Sequence, residues 1–218
     1  MAAAKRQARP RKQQERSART KRALVQATID LMIERGYAQL TVTEIAKRAG
    51  VSSGARVHHF TTKNDLILAA LEHSYQESIL KGRKSVRRLG QAKNPIRALF
   101  ANLMDLYFDP FFLSSLEVVL SSRMEPAMAK RLRRVIGNYH TGIRDVWVEA
   151  LIQSGFAKEN VDTVYATVLD TVRGMAMTSS WNTGQAARNK RQARYVEALL
   201  MEAYAPATAT QQRRRGAA

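Results

Sequence analysis

Residues 53–59, SGARVHH, combine small, polar and basic side chains over the length of a two-turn helix. Because the first residues are small, the backbone of such a helix can approach the base edges of a DNA major groove closely. Thr43, Ser52 and Thr62 stand where helices are expected to begin, and the backbone N–H groups of a helix N-terminus favour phosphate. Lys63 adds a full positive charge at the next helix start. These residue types point to recognition of DNA.

The elements that would position these residues can be traced from their capping patterns. Thr41 to Glu44 has the form of a capping box, with Thr41 as N-cap. The helix that follows is short, because AGV at 49–51 ends it after about two turns, and Ser52 then caps another helix that runs to about Phe60. Two short helices joined by a tight glycine turn have helix-turn-helix proportions. The residues alone therefore predict a DNA-binding helix-turn-helix.

Helical periodicity covers nearly all of the remaining chain, and no alternating run is long enough for a strand. The basic stretch 81–94 is predicted to be a loop or a frayed helix end, and a candidate domain boundary. With a boundary in this stretch, the sequence predicts an all-α protein of about nine helices, arranged as a small N-terminal unit and a larger helical bundle. The predicted helices cover about 18–35, 42–48, 53–60, 63–82, 95–108, 111–123, 126–155, 160–183 and 187–204.

The formal net charge is +18, from 36 Lys and Arg against 18 Asp and Glu. Residues 1–22 hold nine basic residues and one acidic residue, and Arg213–Arg215 add three more basic residues. This pattern favours a polyanionic partner. Residues 5–22 would form an arm along the DNA backbone or in the minor groove. A disordered, solvating tail is the alternative.

Several classes of function find no support in the sequence. The chain has no Cys, which removes disulfides, iron–sulfur clusters and thiol catalysis. It has no apolar run of about 18 residues, no visible secretory signal, no Gly-rich phosphate loop and no Ser/His/Asp arrangement. The neighbours His58 and His59 point to different sides of a helix, and no third metal ligand lies nearby. We therefore expect a cytoplasmic protein that is not an enzyme, has no cofactor or metal, and has no membrane partner.

The stretch from Thr20 to Glu72, about a quarter of the chain, contains a series of short motifs in a fixed order and spacing. They are ERGY at 34–37, TVTEIA at 41–46, AGVS at 49–52, GA at 54–55, HHF at 58–60, TK at 62–63 and Leu66. With these motifs the stretch resembles the N-terminal domain of TetR-family transcriptional regulators. The resemblance implies an all-α homodimer with a C-terminal ligand-binding domain, in which a small-molecule effector releases double-stranded operator DNA.

The resemblance also assigns roles to individual positions. Thr43 would lie near the DNA backbone, residues 53–55 would face bases, and His58 and Lys63 would contact phosphate. Two positions depart from the family pattern. Val57 stands where the family usually has Tyr, and Arg56 stands where an apolar residue is usual. Arg56 is therefore either a new phosphate or guanine contact or a snorkelling side chain that covers the core. The predicted DNA-binding residues are Thr43, Ser52, Ser53, Gly54, Ala55, Arg56, Val57, His58, His59 and Lys63.

The later helices carry large, soft and aromatic side chains with a few polar groups among them. They are either the lining of a mostly apolar effector pocket or ordinary core. The predicted ligand-binding residues are Phe100, Met104, Tyr107, Phe111, Leu116, Glu117, His140, Trp147, Arg173, Met175 and Trp181. The broad apolar stripes of the last two helices favour a homodimer through those helices.

The residue patterns and the family resemblance together predict a basic disordered tail over 1–17 and a helix-turn-helix DNA-binding domain over 18–72. A ligand-binding and dimerisation domain follows over 73–205, and a second basic disordered tail covers 206–218. The predicted function is a sequence-specific transcriptional regulator, a repressor released from a palindromic operator by a small molecule. Two alternatives remain at this point: a non-specific nucleic-acid-binding protein, and a helical interaction module that has lost operator binding.

Overall fold

The computed structural model describes residues 2–88 and 94–204, with side chains from residue 13 onward. Over these residues the chain forms nine α-helices and no strand, so the predicted all-α fold is confirmed. A 3-10 turn, Ser122–Met124, separates the sixth and seventh helices. The helices are α1 Ala2–Arg35, α2 Val42–Arg48, α3 Ser53–His59, α4 Lys63–Arg87, α5 Pro95–Tyr107, α6 Pro110–Ser121, α7 Pro126–Gln153, α8 Val161–Trp181 and α9 Ala186–Tyr204.

Two helices are longer than the sequence predicts. Helix α1 begins at Ala2, well before its buried stripe, which begins at Leu24. Residues 2–17, for which we predicted a disordered tail, continue this helix, and they are rich in Ala, Arg, Lys and Gln, all strong helix formers. Helix α4 likewise runs through residues 81–87, part of the predicted loop. The predicted C-terminal tail, with Arg213–Arg215, lies outside the described residues.

The predicted capping patterns are confirmed at the helix starts. Thr41 Oγ1 accepts from the Glu44 N–H at 3.2 Å and donates to Glu44 Oε2 at 2.8 Å. At α4, Thr62 Oγ1 accepts from the Asp65 N–H at 3.1 Å, while Asp65 Oδ2 accepts from the Thr62 N–H at 3.0 Å. These bonds satisfy helix N–H groups that have no partner within the helix. The start of each of these helices is therefore fixed locally by sequence.

The chain divides into two compact units. Unit 1 comprises the N-terminal part up to Gln76 together with Pro110–Gly137, and unit 2 comprises Glu77–Asp109 together with the chain from Asn138 onward. The sequence placed everything after residue 72 in one C-terminal domain. That boundary differs from the structure, because α6 and the first part of α7 share the core of the N-terminal helices.

The core of unit 1 forms around α1 and α4. Leu24, Met32, Leu66 and Leu71 are fully buried there, and Phe111 and Val118 of α6 join the same cluster. Hydrogen bonds join α6 to α1 and to the turn after it. The Ser114 hydroxyl donates to the Met32 carbonyl at 3.0 Å, and the Glu117 carboxylate accepts from the Tyr37 N–H at 2.9 Å. Segment 110–137 is thus part of the support beneath the helix-turn-helix.

Unit 2 is built mainly from α5, α8 and α9, which pack pairwise against one another. Its interior contains Trp147, whose side chain is fully buried and whose indole N–H donates to Asn102 Oδ1 at 2.8 Å. Glu197 of α9 is also buried, and its carboxylate accepts bonds from Arg97 and Asn94 at the start of α5. Each buried polar group in this set therefore has a partner, as a stable interior requires.

Among the described helices, none combines the length and the hydropathy needed to cross a lipid bilayer.

Candidate nucleic-acid interface

A tight turn joins α2 to α3. The Gly50 N–H donates to the Lys47 carbonyl at 3.2 Å, and the Val51 N–H donates to the Ala46 carbonyl at 3.0 Å. This pair of bonds is a Schellman motif, with Gly50 at the left-handed position, φ 65°. A side chain at that φ is strained, so glycine is the residue that permits the turn.

Helix α2 is held against α1 from two sides. Ile45 and Ala46 are buried in the core of unit 1. On the surface, the Arg48 guanidinium binds both oxygens of Glu34, at 2.8 and 2.6 Å, and this contact lowers the pKa of the Glu34 carboxyl. A second ion pair joins Arg35 to Glu44 at 2.7 Å. Because both pairs are exposed, they orient α2 more than they stabilise it.

Helix α3 has no buried residue along its seven positions. Its first turn is capped by Ser52, whose hydroxyl accepts from the Ala55 N–H at 3.3 Å. Its far end is anchored by Phe60, which is buried. The helix is therefore fixed at its two ends and presents its length outward. That arrangement suits a helix that enters a groove.

Gly54 is a helical glycine that the fold itself does not need. Its φ is not positive, and a Cβ built on it would meet no atom within 4 Å. Glycine inside a helix costs about 0.5–1 kcal/mol relative to alanine. A glycine kept at this cost on an exposed helix leaves room for close approach by a partner. Ser53 and Ala55 beside it are also small and exposed.

Arg56 has a structural contact that differs from both of the roles considered for it. Its guanidinium donates to the backbone carbonyls of Phe60, at 3.0 Å, and Thr61, at 3.1 Å. These carbonyls lie just beyond α3, so Arg56 closes the C-terminal end of the helix. Neighbouring Val57 and His58, by contrast, are exposed. His59 is half-buried, and its ring packs edge-on against the ring of His58.

Lys63 has a structural contact that the sequence did not reveal. Its ammonium donates to the Tyr37 carbonyl at 3.0 Å and lies 4.6 Å from the centre of the Tyr37 ring. Partial burial lowers the pKa of Lys63. An ammonium has three donors, so this bond fixes the side chain while using one of them. Thr43 is exposed in the first turn of α2.

The predicted ligand-binding residues are divided between the two units. Phe111, Leu116 and Glu117 belong to unit 1, where Phe111 is core and Glu117 binds the Tyr37 N–H. The other eight belong to unit 2. Phe100, Tyr107, Trp147 and Met175 are buried there, Met104, His140 and Arg173 are half-buried, and Trp181 is 67% exposed.

Within unit 2, the structure brings Tyr107, His140 and Arg173 into direct contact. The sequence indicates that each is a polar or aromatic residue on an apolar helix, but not that they meet. Tyr165, about two turns before Arg173 on α8, is a further buried polar residue of unit 2, whereas periodicity places it only in the apolar stripe of α8. The hydroxyl of Tyr165, a polar group in this apolar stripe, is the feature of the sequence that could have identified it as a site residue. Among the described residues, no group of His, Asp and Glu forms a potential metal site.

A short helix without buried residues, held at its ends behind a Schellman turn and supported by the core of unit 1, defines a helix-turn-helix protein. Residues 24–70 match the family model described as "Bacterial regulatory proteins, tetR family". These residues cover α2, α3 and the parts of α1 and α4 that support them.

Similar proteins extend the match along the chain. The HTH-type transcriptional regulator CymR of Pseudomonas putida is 28% identical over 171 residues, which cover 78% of this chain and 84% of that protein. A crystal structure of a transcriptional regulator from Rhodococcus sp. Rha1 is 26% identical, with a TM-score of 0.67, covering 85% of this chain and 97% of the other. A putative TetR-family regulator from Mesorhizobium loti has the same fold, with a TM-score of 0.69 at 19% identity, covering 87% and 98%.

Residues 24–70 therefore form a helix-turn-helix domain of the tetR-family type, and over most of its length the chain is similar to HTH-type transcriptional regulators. Both of the more similar proteins named above are described as transcriptional regulators.

Proposed function

We propose that the chain acts as a homodimer that binds a palindromic operator, with one α3 helix in the major groove of each half-site. The main support for this proposal is helix α3 itself, which is capped at both ends and has no buried residue. Gly54 and the small residues beside it leave its first turn open to base edges. Thr43 and His58 are then the expected phosphate contacts. Lys63 can add a third from its remaining donors.

The surface of unit 2 supports the dimer. Met177 and Trp181 of α8 and Tyr195 and Leu199 of α9 are large apolar side chains with 40%, 67%, 66% and 46% of their surface exposed. In each helix the two residues are four positions apart and so share a face. Helices α8 and α9 also pack against each other. We take these four residues as the dimerisation surface, since exposed apolar patches of this kind mark association sites.

The regulator is proposed to be a repressor that leaves its operator when a small molecule binds unit 2. Support comes from the resemblance to the family and from a group of polar side chains inside an otherwise apolar unit. A ligand that binds one conformation better than another shifts the protein toward that conformation. If that conformation holds the two α3 helices at the wrong spacing, DNA affinity falls.

Selection from a random DNA pool tests the DNA-binding part directly. The purified protein is expected to enrich one palindromic sequence at about 0.15 M salt, where non-specific binding is weak. Ala55→Glu is expected to abolish enrichment, because it places a carboxylate on the exposed face of α3. Ala127→Glu is the matched control, with the same charge change at an exposed position of α7.

The other outcomes separate the alternatives. Recovery of unenriched DNA by both the wild type and Ala55→Glu would indicate a non-specific nucleic-acid-binding protein, an interpretation that the net charge of +18 favours. Recovery of no DNA would indicate a helical interaction module. Either result overturns the proposed operator recognition.

A further inference from the structure

Arg173 of α8 holds a positive charge among neutral partners in unit 2. Its Nη2 atom donates to the Tyr107 hydroxyl at 3.0 Å and lies 2.7 Å from His140 Nε2. A guanidinium can only donate, so His140 Nε2 must be the acceptor, and the imidazole is then neutral with its proton on Nδ1. Burial and the charge of Arg173 lower the pKa of His140 to about 4, which keeps this form at neutral pH.

The charge of Arg173 is poorly compensated. Among the described residues, the carboxylate at ion-pair distance is Asp170, one turn earlier on α8, at 3.7 Å from Nη1. The Asp170 side chain is 75% exposed, whereas that of Arg173 is 28% exposed. An exposed carboxylate at this distance contributes little, because water screens it. Among the described residues, the charge of Arg173 is therefore met at ion-pair distance only by an exposed carboxylate that water screens.

Tyr165 supplies a second polar group without a partner. The residue is 4% exposed, and its hydroxyl makes no hydrogen bond within the part of the chain that the structure describes. Burial raises the pKa of this hydroxyl, and Tyr107 adds to the rise while Arg173 opposes it. Tyr165 lies on α8 about two turns before Arg173. A buried hydroxyl without a partner is destabilising, and an added oxygen acceptor would remove that cost.

The helices that carry Tyr107, Tyr165 and Arg173 also bury apolar side chains. Leu99 and Leu103 of α5 and Val164, Val168 and Val172 of α8 are fully buried, and these two helices pack against each other. Half-buried Arg173 and His140 lie at the edge of this apolar interior. A molecule that satisfies both the polar and the apolar parts must therefore carry one anionic oxygen group on a hydrocarbon body.

We propose that unit 2 binds a small carboxylic acid with an apolar body, whose carboxylate pairs with Arg173 and accepts a hydrogen bond from the Tyr165 hydroxyl. Tyr107 and His140 orient the guanidinium from the other side. Guanidinium and carboxylate match in charge and in bidentate geometry, which gives the pair its selectivity. This assignment names the effector class and rests on the proposed ligand-responsive function.

The test uses the full-length protein and matched pairs of compounds. Hexanoate, octanoate, decanoate, benzoate and 2-naphthoate are each compared with the corresponding neutral primary amide. The acid of at least one pair is expected to raise Tm in a concentration-dependent way and to bind at least tenfold more tightly than its amide. Equal binding of acid and amide would overturn the proposal, and so would the absence of binding across the panel.

Three variants localise the effect. Arg173→Gln is expected to weaken acid binding by tenfold or more, whereas Arg194→Gln, which removes an exposed arginine of α9, leaves it unchanged. Tyr165→Phe is the sharpest variant, because it removes a hydroxyl that has no hydrogen-bond partner among the described residues. Its ligand-free Tm is expected to equal or exceed that of the wild type, while its acid affinity falls three- to tenfold. Full acid affinity in Arg173→Gln or Tyr165→Phe would contradict the assigned contacts.

Operator release separates this proposal from the one on which it rests. An acid that binds through Arg173 but leaves DNA affinity unchanged would confirm the carboxylate site and contradict its role as effector site. A neutral amide that binds more tightly than its acid and releases DNA would contradict the carboxylate site and confirm that a small molecule acts as effector. The ligand-responsive function would then stand, and the carboxylate site would be wrong.

Discussion

At the scale of single residues, the local bonds of the helix-turn-helix follow from the sequence, whereas the longer contacts do not. The caps at Thr41, Ser52 and Thr62 involve atoms three residues apart, so their patterns can be recognised in the sequence. The bond between Lys63 and the Tyr37 carbonyl joins residues 26 positions apart. Such contacts depend on how helices pack, and a single sequence carries no direct signal of that packing.

Gly54→Ala separates the needs of the fold from those of DNA recognition. Because the added methyl group meets no protein atom, Tm is expected to stay constant or rise, by the equivalent of about 0.5–1 kcal/mol. Operator affinity is expected to fall about tenfold, equivalent to about 1.4 kcal/mol, because the methyl group obstructs close approach to the DNA.

Gly137→Ala provides the control for Gly54→Ala. Gly137 also lies in a helix, α7, with open space around it. This variant is expected to give the same small gain in Tm and an unchanged operator affinity. Unchanged affinity in Gly54→Ala itself would show that DNA does not approach this position closely.

His140 should make stability sensitive to acid. Its pKa is lowered to about 4 in the folded protein, from about 6.5 without the fold. Between these values the unfolded chain binds more protons than the folded chain, so the free energy of unfolding falls as the pH falls from about 6.5 to 4. Because the imidazole is partly exposed and screened, we expect an effect of about 1 kcal/mol, or about 2–4 °C in Tm.

His140→Gln tests this coupling while keeping an acceptor for Arg173. The Tm difference between pH 7.5 and pH 5 should be smaller in His140→Gln than in the wild type, measured by thermal unfolding. His73→Gln, at an exposed position of α4, should leave the difference unchanged. If acidification lowers the Tm of both variants by the same amount as that of the wild type, the His140 imidazole does not control acid stability.

At the scale of helices, the sequence predicts where a helix begins better than it predicts how far the helix extends or which neighbour it packs against. Helix α6 is apolar on nearly all of its surface, so periodicity does not indicate which neighbour it contacts. Its bonds to α1 and to the turn after it, through Ser114 and Glu117, place it in unit 1. Helix α1 extends to Ala2, beyond the buried stripe, although Pro10 lacks the N–H that a helix interior uses.

Deleting residues 1–17 tests whether the basic first part of α1 contacts DNA. For each phosphate that the shortened protein no longer binds, the plot of log K against log salt should flatten by about 0.9. The deletion removes no residue of the buried stripe, which begins at Leu24, so Tm should change little. Measurement of operator affinity at several salt concentrations gives the slope. An unchanged slope would mean that this segment serves solubility and not DNA binding.

At the scale of the whole molecule, the all-α class and the helix count follow from periodicity, while the division into units does not. Segment 110–137 lies after the predicted domain boundary, yet its apolar residues join the core of the N-terminal helices. A boundary can be recognised from composition only where the chain crosses it once. Here the chain leaves unit 1 after Gln76 and returns to it at Pro110.

Trp181→Glu tests the proposed dimerisation surface. A carboxylate in the centre of an apolar interface would be buried without a partner, which is strongly unfavourable. We expect the variant to sediment as a folded monomer and to bind operator at least tenfold more weakly. Ile152→Glu, at another exposed apolar position in unit 2, should stay dimeric. A dimeric Trp181→Glu protein would place the interface elsewhere.

The most direct test of dimeric operator recognition compares binding to the selected operator with binding to the same DNA in which one half-site has been scrambled. Binding is measured at about 0.15 M salt, with the number of protomers per DNA determined by analytical ultracentrifugation. We predict two protomers on the intact operator and at least a 100-fold loss of affinity with one half-site scrambled, about 2.7 kcal/mol. Equal affinity for both DNAs would contradict dimeric, sequence-specific recognition through α3.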